Sequence, residues 1–178
     1  RITTFDPEGY LRTGEDRWMY GSTSIIHEAA HQSAFNTGIH NRFAPPPKWL
    51  SEGLATMFES SGNSNGNGKP QIGGNGIRLN QLRKHLGTDV IHPGLLNLVA
   101  NDRMFRTHPE LAYALSWGMS FYLVRTQPDK YFQFLLQDAS RGNFTEYSSE
   151  NRLRDFMNAF GHDFHQLEAE LTQNFRQR

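Results

Sequence analysis

The chain has 178 residues, with 18 Lys and Arg balanced by 18 Asp and Glu, and no cysteine. A formal charge of zero leaves no cationic field for phosphate backbones, so nucleic acid is not an expected partner, and the lack of cysteine excludes a disulfide framework. The length fits one compact domain, 1–178, and no apolar run is long enough for membrane insertion.

From Arg1 to Gly21 the chain is mixed and turn-rich, with short candidate strands near 9–12 and 17–20. At most a small or truncated N-terminal sheet fits there. The first twenty residues show no apolar h-region of a signal peptide. A chain opening on Arg1 reads as a processed or excised piece, and its localisation stays open. Ser22, Thr23 and Ser24 offer N-cap hydroxyls to a helix over about 25–35, which Asn36-Thr37-Gly38 is placed to end. Pro45-Pro46-Pro47 precedes a second helix, from about Lys48 to Glu59.

Residues 60–76 are so rich in glycine and asparagine that a flexible surface loop is expected. The remainder, 77–178, reads as a helical subdomain with helices at about 77–86, 94–101, 109–126, 129–140, 149–160 and 162–176. Leu111, Leu115, Met119 and Tyr122, then Phe132, Leu135 and Leu136, then Leu153, Phe156 and Phe160, recur at helical spacing and are expected in the core. The fold class is therefore α+β, mainly α.

The chemistry concentrates in residues 22–59. His27 and His31 are four apart, so a helix turns both imidazoles to one point. Glu28 sits about 100° round that helix, near enough to reach a water held at the point without ligating a metal itself. For this composition an H-E-x-x-H string arises by chance about 0.02 times per chain. Catalytic zinc takes three protein ligands and keeps one position open. Glu52, in the first turns of the next helix, supplies the third, and Gly53 and Ala55 are small enough to let the two metal-binding helices approach closely.

His27-Glu28-Ala29-Ala30-His31, followed by Trp49-Leu50-Ser51-Glu52-Gly53-Leu54-Ala55, resembles the gluzincin zinc metallopeptidases, including the membrane-alanyl-type aminopeptidases. It is more similar still to an uncharacterised, peptidase-like bacterial domain family of the same clan. The resemblance covers roughly residues 22–126. It implies a zincin-like helical core and one Zn2+ per chain held by His27, His31 and Glu52. It also implies hydrolysis of a peptide or protein substrate, with Glu28 as general base. The aminopeptidases place an oxyanion-stabilising tyrosine some sixty residues after the glutamate ligand, which points to Tyr113, with His108 and Tyr122 as alternative donors. Ligand histidines usually donate their second ring N–H to a neighbouring oxygen, and Glu59 and Thr56 are placed to accept it. The other histidines, His40, His85, His92, His162 and His165, have no ligand spacing and read as loop or surface residues.

Two departures bear on the substrate. Only 21 residues precede Ser22, too few for the sheet that gluzincins place before the metal helix, and the aminopeptidase G-x-M-E-N motif is absent. Both favour an endopeptidase, or a fragment lacking its substrate platform, over an aminopeptidase. The alternative from another class is a non-catalytic, zinc-stabilised binding module.

Overall fold

The computed structural model describes residues 14–59, 75–161 and 163–176. These form nine helices: α1 Gly14–Asn36, α2 Lys48–Phe58, α3 Gly76–Arg83, α4 Ile91–Ala100, α5 Met104–Thr107, α6 Pro109–Thr126, α7 Pro128–Ala139, α8 Ser149–Phe160 and α9 Phe164–Arg176. No strand occurs among the described residues, whose only ladder contact is an isolated bridge between Asn41 and Ala44. The protein is mainly helical.

The expected strand at 17–20 is corrected, because α1 begins at Gly14 and runs through it. The chain is thus already helical before Ser22. The other candidate strand, at 9–12, lies outside the described residues, as does most of the expected loop at 60–76.

α6 is the centre of the fold. Ala112 and every residue from Ala114 to Leu123 are buried, and α2, α3, α4, α5, α7 and α9 all pack on it. A helix apolar all round must be enclosed on every side, which is why 109–126 reads so clearly in the sequence. Trp49 of α2 stacks on Phe134 of α7 at 5.9 Å and meets the edge of Phe156 of α8 at 5.7 Å. Trp117 of α6 contacts Phe175 of α9 at 5.3 Å. Each fully buried Phe or Leu of this core contributes about 1.5–3 kcal/mol by area removed from water.

Two expected core residues are not in the core. Phe132 and Leu136 are 56% and 48% exposed. α7 turns Tyr131, Phe134, Leu135 and Asp138 inward instead, a phase one position off the expected one. The carboxylate of Asp138 is held there by Arg141 Nε at 2.9 Å.

Candidate metal centre

α1 and α2 carry the site. α1 ends where Gly38 takes a φ of +79°, a left-handed conformation that glycine adopts at little cost. The returning loop is pinned by Arg141, whose Nη2 donates to the carbonyls of Ala44 and Pro45 at 2.9 and 2.6 Å. α2 then starts against Asp102. Oδ1 of that carboxylate accepts from the Lys48 backbone N–H at 3.0 Å, and both its oxygens accept from the Arg152 guanidinium at 2.9 and 3.2 Å. The N-terminus of the glutamate-bearing helix is thereby tied to α8. Gly53 fixes its depth, since a Cβ there would lie 2.1 Å from Ser120 Oγ and 2.6 Å from the Ser116 carbonyl oxygen. The close approach that Gly53 permits is therefore with α6, rather than with α1 as expected.

In this setting His27, His31 and Glu52 converge. His27 Nε2 lies 3.0 Å from His31 Nε2 and 3.1 Å from Glu52 Oε2, and His31 Nε2 lies 3.4 Å from the same oxygen. Ligand atoms about 2.0–2.2 Å from a tetrahedral ion are about 3.3–3.6 Å from one another, so the three separations are within a few tenths of an ångström of one face of such a polyhedron. The three side chains are only 14–19% exposed. Burial penalises the charge of Glu52, but hydrogen bonds from His27 and His31 outweigh it and hold the carboxyl well below its usual range. Burial also disfavours a charged His27, yet the hydrogen bonds and charges of Glu52 and Glu59 prevail and raise its pKa. Imidazole nitrogens and a carboxylate oxygen are the donor types that metal ions take, and these three lie close enough together to share one ion, so the donor set fits a metal ion.

The far side of His27 is also occupied. Its Nδ1–H donates to Glu59 Oε1 at 2.9 Å, an acceptor on the ring's second nitrogen of the sort that fixes a ligand's tautomer. Glu59 is itself oriented, because Asn75 Nδ2 donates to its Oε2 at 2.6 Å and Arg78 Nη2 lies 3.5 Å from its Oε1. Asn75 also caps α3, accepting from the Arg78 N–H at 3.1 Å, so α3 and the His27–Glu59 cluster are joined by one side chain. Thr56 behaves differently from expectation. Its buried hydroxyl donates to the Glu52 and Gly53 carbonyls at 2.7 and 3.0 Å, bracing the turn that carries Glu52 and not a ligand ring.

Beside the cluster opens a cleft of about 350 Å³ lined by Thr23, His27, Glu28, Glu59, Arg78 and Tyr113, among others. Glu28 is exposed in it and free of the ligand triad. Tyr113 packs edge-on against Phe105 at 5.3 Å and beneath the Arg78 guanidinium at 4.9 Å. Burial first, then the charge of Glu52, pushes its phenol up to about 12, so it remains an O–H donor at neutral pH. Neither alternative donor lines this cleft. His108 is exposed and bonded to Thr107 at 3.0 Å, and Tyr122 donates to Glu170 of α9 at 2.6 Å.

Asn75 and Arg78 are the site residues that the sequence did not single out. Asn75 lies within the glycine- and asparagine-rich stretch and Arg78 just after it, and neither has a spacing to the H-E-x-x-H string that marks it. His40 is a correction: it is buried at 1% exposure, against the edge of Phe35 at 5.4 Å, and neither ring nitrogen has a hydrogen-bond partner.

A family model described as a protein of unknown function, DUF1570, matches residues 22–145. That span holds every residue of the candidate metal centre and its cleft, and leaves α8 and α9 outside. No curated protein and no solved structure matches the chain.

Proposed function

The chain belongs to the DUF1570 family, and from the geometry of its α1–α2 cluster we propose that it is a zinc metallopeptidase of the gluzincin kind, acting as an endopeptidase. The observation that carries this reading is the convergence of His27 Nε2, His31 Nε2 and Glu52 Oε2, with a carboxylate behind His27 and an uncommitted glutamate beside it. A metal-binding helix crossed by a glutamate-bearing one also supports a zincin-like helical core. Two imidazoles and one carboxylate are the donor set that zinc takes in catalytic sites with an open position.

Bound at His27, His31 and Glu52, zinc supplies Lewis-acid polarisation of a carbonyl and acidification of a water. The chain's own residues do the rest. Glu28 takes a proton from the attacking water and returns it to the leaving amine. Tyr113, protonated at neutral pH, donates to the oxygen that becomes negative. Glu59 holds the His27 ring in the tautomer that presents Nε2 to the metal. Ile77, 50% exposed and lining the same cleft, gives the substrate an apolar contact.

Glu28→Gln tests the reading, because it removes the base and leaves the ligands. The variant is expected to keep its zinc and lose at least about 10²-fold in cleavage of an unfolded protein substrate. A zinc-replete Glu28→Gln protein with full activity contradicts the role. If chelation leaves both the helical fold and cleavage intact, the metallopeptidase reading falls.

A further inference from the structure

α9 carries His165 and Glu168 three residues apart, hence on one face, and that face meets the first turn of α4, where His92 stands. One ligand atom from each of the three residues lies within 4.8 Å of the others. The two imidazoles stack with centroids 3.7 Å apart and planes 13° from parallel. His92 Nδ1 is 3.8 Å from Glu168 Oε2, too far for a hydrogen bond, and this nitrogen is buried with no partner. A buried ring nitrogen left unpaired beside a carboxylate and a second imidazole needs an explanation.

We propose that His92, His165 and Glu168 form a second metal site, for a divalent transition-metal ion, that fastens the start of α9 to α4. The donors choose the metal class. Two imidazoles and one carboxylate select zinc, nickel, cobalt or copper over magnesium or calcium, which prefer all-oxygen shells. The unpaired His92 nitrogen gains a partner, and small rotations of the stacked rings bring the three donors onto one ion.

The position explains what such an ion does. The last turn of α9 is already tied down, with Arg176 Nη2 donating to the Leu86 carbonyl at 3.0 Å and Arg83 Nε to that of Phe175 at 3.0 Å. Its first turns hold His165 and Glu168, and an ion there clips that end to α4. His165 is exposed, so this site binds more weakly than the α1–α2 centre and is emptied by dialysis that the first site survives.

The inference does not depend on peptidase activity, and its test is binding. Zinc is titrated by calorimetry into dialysed wild-type protein, and amide exchange of α9 is followed with and without the added ion. One further equivalent is expected, with slower exchange in the first turns of α9 and a higher thermal midpoint. His165→Ala, at an exposed position that leaves the core intact, is expected to weaken this equivalent at least about tenfold, and Glu168→Gln likewise. The same equivalent is expected in His31→Ala, which separates it from the first site. No second equivalent in the folded wild type, or one unchanged by His165→Ala and Glu168→Gln, overturns the proposal.

Discussion

Glu59 Oε1 accepts from His27 Nδ1 at 2.9 Å across 32 residues of chain, joining the end of α2 to the middle of α1. The bond sets which nitrogen of His27 faces the cluster. It also places a negative charge behind a ring that donates electrons forward, which makes the imidazole a better ligand.

Glu59→Ala is therefore expected to weaken zinc binding about 10–100-fold while leaving His27, His31 and Glu52 in place. Competition against a chromogenic chelator measures it. An affinity equal to wild type shows that the contact does not tune the metal.

Tyr113→Phe keeps the ring that packs on Phe105 and lies under Arg78, and removes only the hydroxyl. A donor to a developing oxyanion contributes about 10²–10³ in kcat, so the variant is expected to lose that much in kcat with KM little changed. Steady-state kinetics on a peptide substrate decides. A rise in KM at constant kcat assigns Tyr113 to substrate binding alone.

His40 gives the protein acid sensitivity. Burial, and secondarily the charge of nearby His31, lowers its pKa from 6.5 to about 4. Between these values the unfolded chain binds a proton that the folded one refuses. Its contribution is thus fully present above pH 6.5 and is lost as pH falls to about 4, on the order of 3 kcal/mol in all. Urea unfolding of the metal-free protein at pH 7 and pH 4.5 is expected to show the loss, and His40→Leu to reduce it. An equal loss in His40→Leu locates the acid sensitivity elsewhere.

The parts of this molecule legible in the sequence are those set by local chemistry. Pro109 at the first helical position and apolar residues at helical spacing delimit α6 at 109–126, as expected, and α8 begins after Ser148, whose hydroxyl accepts from the Asn151 N–H at 3.2 Å. The His27–His31 spacing implies its own geometry once a helix is assumed. What stayed hidden depends on tertiary contact. Thr56 has the right spacing to brace a ligand but finds a nearer acceptor in its own helix. α7 alternates enough apolar residues for two phases, and only Trp49 and Phe156, packed against Phe134, select one. Asn75, Arg78 and the His92–His165 pair are brought to their partners by packing between distant helices, which no local pattern encodes. α5, a single turn over Met104–Thr107, is too short to show a period.

In the proposed function, two imidazoles from α1 and one carboxylate from α2 hold a metal ion. Metal analysis of protein purified without chelators and dialysed against metal-free buffer addresses it directly, with His31→Ala as the comparison. About one zinc per chain is expected in the wild type, falling to nearly none in a folded His31→Ala variant. A wild-type protein that retains no transition metal, or a His31→Ala protein that retains as much as wild type, contradicts the account.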